Sequence, residues 1–179
     1  MARLLLVTGG ARSGKSSYAE RRALELAVGP CAYIATGEAV DDEFSARIER
    51  HRAGRDSRFV TFEEPLHIER ALTMALKEHQ VVVLECITTW LGNVFHHQQK
   101  KPEPFAMERI SAFLEQVRGS PDATILVVSN EIGMGLVPAD AASRAFRDMH
   151  GRINRVLAEV STEAWLIVSG LPLCLKPSP

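Results

Sequence analysis

What this 179-residue chain has little of already narrows its function. Its three cysteines, Cys31, Cys86 and Cys174, are an odd number without a CxxC pair. That excludes a disulfide framework and the usual thiolate zinc spacings, and free thiols in a cytoplasmic protein are the expectation. Aromatic residues are only 6% of the chain, with two Trp and two Tyr, which argues against the basic, aromatic-interleaved groove that stacks single-stranded nucleic acid. An excess of one charge is missing too: 21 Lys plus Arg face 22 Asp plus Glu, a net charge of -1. No global field gathers nucleic acid or anionic lipid, so any anion site must be local. Apolar runs are short, as in Val81 to Leu84 or Ala164 to Val168, whereas a bilayer span needs roughly 20 residues. The opening Met1 to Val7 is also shorter than a secretory apolar region of about 7 to 15 residues, and reads as a strand.

What is present is the composition of an ordinary globular domain, 46% hydrophobic and 24% charged. At this length one compact domain over residues 1–179 is expected, burying about 70% of its unfolded surface. Short β-branched runs alternate with segments of helical period, the signature of an α/β fold. Strands are expected at Arg3 to Thr8, Ala32 to Ala35, Phe59 to Thr61, Val81 to Glu85, Ala123 to Ser129 and Ala164 to Val168. Helices are expected at Lys15 to Ala27, Asp41 to Arg52, Ile68 to His79, Ala106 to Arg118 and Ala141 to Ser161. In the last, Ala142, Phe146, Met149, Ile153, Val156, Leu157 and Val160 form one apolar stripe, read as core. The proline-bearing end, Leu171 to Pro179, reads as a loosely held tail.

Gly9-Gly10-Ala11-Arg12-Ser13-Gly14-Lys15-Ser16 satisfies G-x-x-x-x-G-K-[ST] in full, between the first strand and the first helix. Glycines let successive N–H groups turn inward around a phosphate, and the helix adds its positive end. Lys15 supplies a point charge to the β- and γ-phosphates, and Ser16 a hydroxyl for Mg²⁺. Such a loop wants an acidic partner at the end of another buried strand, and Glu85 closes the Val81 run. The plainer role for Glu85 is to cap the turn that follows.

His51 stands among Arg47, Arg50, Arg52 and Arg55. Neighbouring positive charge disfavours an imidazolium, so His51 is expected neutral near pH 7, able to act as nucleophile or base while the arginines hold an anion. The alternative is a solvated helix face carrying an incidental histidine. His67, His79, His96, His97 and His150 lack such a setting or a metal-ligand spacing, so surface or satisfied roles are expected and no zinc site is assigned.

These residues resemble those of the bifunctional adenosylcobinamide kinase / adenosylcobinamide-phosphate guanylyltransferases of cobalamin biosynthesis. The resemblance covers nearly the whole chain. It rests on Leu6 to Ser16, Tyr33-Ile34-Ala35-Thr36-Gly37, Asp41 through His51 to Arg55, Glu85-Cys86-Ile87-Thr88-Thr89-Trp90, Ser129 to Pro138 and Arg144 to Asn154. Departures are local: Asp56 where proline is frequent, Arg155 where glutamine is common, and Ser161-Thr162-Glu163-Ala164 in place of A-D-E-V.

The resemblance implies a P-loop NTPase of RecA-like, three-layer architecture with a mostly parallel sheet. It implies two reactions: phosphorylation of adenosylcobinamide by ATP or GTP, then transfer of GMP from GTP to adenosylcobinamide phosphate through a guanylyl-histidine. It makes His51 that nucleophile. It assigns nucleotide contacts to Gly9, Gly10, Ala11, Arg12, Ser13, Gly14, Lys15, Ser16, Ala35, Thr36, Gly37, Arg52, Ala53, Gly54, Arg55, Glu63 and Glu85. Glu63 and Glu85 then become acceptors for guanine N–H groups, which competes with the metal role of Glu85. A homo-oligomer, a trimer in the family pattern, is implied as well. The competing readings are a phosphate-loop kinase of another hydroxyl compound, for which His51 is dispensable, and a nucleic-acid ATPase, which the low charge and few aromatics oppose.

Overall fold

The computed structural model describes residues 2–38, 49 and 52–177. The expected helix over Asp41 to Arg52, and with it His51, lies outside the described residues apart from Glu49 and Arg52. Seven strands form one sheet: β1 (Arg3–Gly9), β2 (Cys31–Ala35), β3 (Phe59–Glu63), β4 (Val81–Glu85), β5 (Thr124–Val128), β6 (Glu163–Val168) and β7 (Leu171–Lys176). The spatial order is β3-β2-β4-β5-β1-β6-β7. Every pairing is parallel except β6 with β7. Five helices bounded within the described residues flank it: α1 (Lys15–Leu26), α2 (Ile68–Ala75), α3 (Ile87–His97), α4 (Pro102–Arg118) and α5 (Ala141–Val160).

The alternation of side chains along each strand divides the core in two. Leu4, Leu6, Ile34, Val82, Leu84, Ile125 and Val127 pack against α2, α3, α4 and α5. The intervening Leu5, Val7, Tyr33, Val83, Leu126 and Val128 face the other way, onto Ala19 and Ala23 of α1. Burial on both faces explains why the central strands read as unbroken apolar runs, and the result is the expected three-layer α/β arrangement.

Three expectations are corrected. Leu171 to Lys176 is not a loose tail but the edge strand β7, antiparallel to β6. Ser169 (φ 51°) and Gly170 (φ 82°) make the two-residue turn with both φ angles positive that reverses a strand tightly, and Pro172 is tolerated because β7 is an edge. A helix that periodicity did not single out, α3, follows β4 directly: the Cys86 thiol accepts from the Thr89 N–H at 3.4 Å as its cap. Its Ile87, Trp90, Leu91 and Val94 are fully buried at i, i+3, i+4 and i+7. Finally, Ala142 and Val160 are exposed, and the buried stripe of α5 runs through the polar His150 and Asn154 together with Met149, Ile153 and Leu157.

Candidate active site

The carboxyl ends of the parallel strands gather the site. Registers place Glu63, Ala35, Glu85 and Val128 on one rung across β3, β2, β4 and β5, and Val128 pairs in turn with Val7, two residues before the phosphate loop. Glu63, Ala35 and Glu85 share strand parity with Phe59, Tyr33 and Val83, so they lie on the α1 face of the sheet. An open sheet binds ligands at such a carboxyl edge.

The phosphate loop spans the gap from β1 to α1. A Cβ on Gly9 would fall 2.5 Å from the Ile167 carbonyl oxygen and 2.6 Å from Ser13 Oγ, so only glycine fits there. Gly14, at φ 92°, caps α1 in the left-handed conformation, and Arg12 is left-handed as well (φ 57°). Lys15 is 8% exposed, and its ammonium donates to the Gly10 carbonyl across the loop at 3.2 Å. A lysine so buried is costly unless paired with an anion or carbonyl dipoles. The Gly170 N–H donates to the Ser13 carbonyl at 2.9 Å, so the β6–β7 turn braces the loop from outside.

Ser16 Oγ donates to Glu85 Oε1 at 2.8 Å, closing the loop onto β4. Glu85 Oε2 is buried with no hydrogen-bond partner among the described residues. Burial pushes the Glu85 carboxyl up to about 7, against the opposing pull of the Ser16 hydroxyl and the Lys15 charge. Carboxyls perturbed in this way cluster at functional sites, and this one lies against the phosphate loop through Ser16.

Arg52, which follows His51 in the chain, reaches Glu63 at the end of β3, 2.5 Å away. Arg55 stacks over the Tyr33 ring with its guanidinium carbon 3.4 Å from the centroid, and donates to Thr61 Oγ1 at 2.6 Å. The segment leaving His51 is thus fastened to the β2–β3 edge of the same rung. Thr36 is fully buried, its N–H and hydroxyl tied to the Glu85 carbonyl and its hydroxyl also accepting from the Cys86 N–H at 3.0 Å. Asn93 of α3 donates to the Thr36 carbonyl at 2.7 Å, which holds the end of β2 to the start of α3.

Residues 5–175 match the family model "CobU: Cobinamide kinase / cobinamide phosphate guanyltransferase". The chain belongs to this family. It is 40% identical over 183 residues to the bifunctional adenosylcobalamin biosynthesis protein CobU of Escherichia coli, covering 97% of this chain and 99% of that one. It is equally 40% identical, over 176 residues, to CobP of Pseudomonas aeruginosa, with 97% and 98% coverage. A solved structure, the flagellar accessory protein FlaH from Methanocaldococcus jannaschii, aligns with a TM-score of 0.55 at 11% identity, over 98% of this chain and 79% of FlaH. That likeness concerns the fold alone.

In this cobinamide kinase / guanyltransferase chain, the loop from Gly9 to Ser16, Ala35, Glu63, Glu85 and the Arg52 to Arg55 segment converge on one sheet edge. Two open clefts of about 400 Å³ each flank this edge rather than coincide with it. One lies between α1 and Gly54–Phe59, and the other is lined by Phe95, Ile132, Leu136 and Phe146 on the opposite face. Among the described residues no three His, Cys, Asp or Glu side chains cluster to hold a metal, and no helix is long and apolar enough to cross a membrane.

Sequence reasoning missed a buried polar network beyond β5. His150, 1% exposed, hydrogen-bonds the Thr88 hydroxyl through Nε2 at 2.8 Å, with Ser129 Oγ 3.3 Å from the same nitrogen, and Thr88 Oγ1 accepts from the Asn130 N–H at 3.1 Å. Burial drives the His150 pKa down to about 4, so the ring is neutral. Ser129 Oγ donates to Asn154 Oδ1 at 2.6 Å, and Asn154 Nδ2 donates to the Asn130 carbonyl at 2.9 Å. The available signal was a histidine and an asparagine at i and i+4 inside an otherwise apolar helical stripe.

Proposed function

We propose that this protein phosphorylates adenosylcobinamide with ATP or GTP, and then transfers GMP from GTP to the resulting phosphate, giving adenosyl-GDP-cobinamide and pyrophosphate. Membership of the family supports both reactions. The observation that carries the reading is the closure of the phosphate loop on Glu85 through Ser16, on the rung where the segment following His51 is anchored by Arg52 to Glu63.

In the guanylyl transfer, neutral His51 attacks the α-phosphorus of GTP. A P–N bond forms, the bond to the β-phosphate oxygen breaks, and pyrophosphate departs into the phosphate loop, where Lys15 and the loop N–H groups offset its charge. A phosphate oxygen of adenosylcobinamide phosphate then attacks the phosphoramidate, and the P–N bond breaks to regenerate His51. In the kinase step the same loop presents the γ-phosphoryl group, and positioning supplies most of the acceleration.

Mg²⁺ fits the donors present: a hydroxyl and a carboxylate, both oxygen, with one carboxylate oxygen buried and unpartnered among the described residues. Ser16 and Glu85 would hold it, and bound there it neutralises charge on the phosphate oxygens. This favours the metal role of Glu85 and leaves guanine recognition to Glu63, at the far end of the rung. Adenosylcobinamide and its phosphate are the acceptors, and a homo-oligomer, a trimer by family pattern, is the expected state.

The test is incubation of the protein with Mg²⁺ and GTP labelled at the α-phosphate, followed by intact-mass analysis after denaturation. An acid-labile, alkali-stable GMP adduct is expected in the wild type, absent in His51→Ala and Lys15→Ala. His51→Ala should still phosphorylate adenosylcobinamide, whereas Lys15→Ala should not. Equal loss of both activities in a folded His51→Ala protein would overturn the division of roles.

A further inference from the structure

Helix α5 runs antiparallel to the strands it covers: beyond its end the Thr162 N–H donates to the Leu4 carbonyl at 2.8 Å, at the amino end of β1. His150 and Asn154 stand level with the carboxyl end of β5, where they meet Thr88, Ser129 and Asn130. The part of α5 before His150 therefore rises past the carboxyl edge of the sheet. At 1.5 Å per residue, Ala142 stands about 12 Å beyond that level. A second wall starts at the phosphate loop. The Glu131 N–H donates to the Gly9 carbonyl at 3.0 Å, and Ile132, the next residue, already lines the cleft on this face. At its far end the 131–139 loop is tied to α5, because the Arg144 guanidinium donates to the Pro138 carbonyl at 3.0 Å and to the Ala139 carbonyl at 2.6 Å.

Between these walls lies a cleft of about 400 Å³, open on one side and lined by Phe95, Ile132, Leu136, Pro138, Phe146 and Arg147 among others. Its apolar surface continues outward, since Met134, Leu136 and Val137 are all exposed, Leu136 almost completely. A loop fastened at both ends that turns three large apolar side chains to water is not explained by the core, which none of them enters. Arg147 is set in the same wall with its side chain only 20% exposed. Its carboxylate neighbour among the described residues, Asp148, is 3.6 Å from Nε, beyond hydrogen-bonding distance. The guanidinium fork is thus available to an acceptor entering the cleft.

We infer that this cleft, with the exposed apolar loop beside it, seats the acceptor of both reactions: the methyl-bearing rim of the corrin macrocycle lies against Phe146, Leu136 and Met134, and Arg147 donates to a carbonyl oxygen of an amide side chain on that rim. The inference rests on the proposed function and names where its acceptor binds. The chemistry of the occupant matches the wall. Methyl groups interleaved with neutral amides call for an apolar surface carrying a few donors, and a macrocycle larger than the cleft calls for an open one. The position supplies the direction of approach. Glu63, Ala35 and Glu85 lie on the α1 face and the cleft on the α5 face, so a hydroxyl-bearing arm reaching over the edge at Gly9 meets the triphosphate from the side opposite these residues.

The experiment is equilibrium dialysis of adenosylcobinamide, followed by its visible absorbance, against the protein loaded with Mg²⁺ and β,γ-imido-GTP. Leu136→Ser and Arg147→Met should each bind the corrinoid about tenfold more weakly than the wild type, the first through lost apolar contact and the second through a lost charge-assisted hydrogen bond. Leu173→Ser, at another exposed leucine on the β7 edge, should bind as the wild type does. Formation of the GMP adduct from GTP uses no acceptor, so its rate should stay within about twofold in all three variants, which also shows that they are folded. Sedimentation should give the same mass throughout. Unchanged corrinoid binding by Leu136→Ser and Arg147→Met, an equal loss in Leu173→Ser, or a change of mass that makes this face a contact between copies overturns the inference. A wild type that binds no adenosylcobinamide sinks the functional reading as well, whereas wild-type binding that ignores Leu136 and Arg147 sinks the inference alone.

Discussion

Replacing Glu85 with Gln should stabilise the nucleotide-free protein at neutral and alkaline pH while disabling catalysis. Burial raises the Glu85 carboxyl from its ordinary 4.5 to about 7. Between those two values the folded protein keeps a proton that the unfolded chain has released, so stability falls as pH rises through that window. At about 1.4 kcal/mol per pH unit the loss is somewhat over 3 kcal/mol, and partial solvent access to the side chain brings it to roughly 2 kcal/mol. Gln has the same shape and can still accept the Ser16 hydroxyl through its amide oxygen, so the substitution isolates the charge. Urea unfolding of both proteins at pH 4.5, 6 and 8, without nucleotide or Mg²⁺, reads the effect. The variant should gain about 2 kcal/mol relative to wild type between the first pH and the last. Binding of Mg·GTP to the wild type at pH 6 should also release a proton, seen as a dependence of the calorimetric heat on buffer ionisation, and the variant should release none. Parallel stability curves, or a variant less stable than wild type at pH 8, would refute the account of Glu85 as a carboxyl held near neutrality until a cation arrives.

Two further outcomes follow from the same geometry. Gly9→Ala should push its Cβ into the Ile167 carbonyl and Ser13. At about 1–3 kcal/mol for such overpacking, the melting midpoint should drop by roughly 3–10 °C and nucleotide affinity at least about tenfold, with an unchanged midpoint as the contrary result. His150, held neutral down to about 4 rather than its ordinary 6.5, contributes stability that is present above 6.5 and lost as pH falls toward 4. His150→Gln keeps a hydrogen-bonding partner for Thr88 and should remove up to about 3 kcal/mol of that acid-side slope. The Glu85 slope has the opposite sign, so the two partly cancel in the wild type, and the His150 effect is read most cleanly in the Glu85→Gln background.

The layered sheet was legible because its evidence is local. Val81 to Glu85 and the Thr124 to Val128 run are apolar on both faces, which only a covered parallel strand requires, and the phosphate loop needs a strand before it and a helix after it. Where local and tertiary preferences part, the reading failed. Ile87, Thr88 and Thr89 are β-branched and poor helix formers, yet α3 forms because Trp90, Leu91 and Val94 bury completely against the sheet and the Cys86 thiol caps the first turn. The prolines around β7 suggested a tail, yet Ser169-Gly170 reverses the chain and Leu171 to Lys176 pairs along the edge of β6. The turn is also functional in position, since Gly170 braces the phosphate loop through the Ser13 carbonyl.

The site divides along the same line. Lys15, Ser16 and the glycines carry their chemistry in their spacing, and Glu85 in its place at a strand end. That Ser16 and Glu85 touch depends on β4 standing two strands from β1, an order no local pattern encodes. The end of the strand between β1 and β4 is harder still to foresee, because Asn130 owes its position to Thr88, Ser129, His150 and Asn154, drawn from three different elements or their ends. In sequence each has an ordinary explanation: a helix threonine, a strand-end serine, a histidine and an asparagine on an amphipathic helix. Their common purpose emerges only once the chain of β5 is seen to run on beside β1 through Glu131 after β4 has ended at Glu85. An extended strand that outruns its neighbour must have its N–H and carbonyl satisfied by something else, and here Thr88 and Asn154 supply that substitution on the strand between β1 and β4.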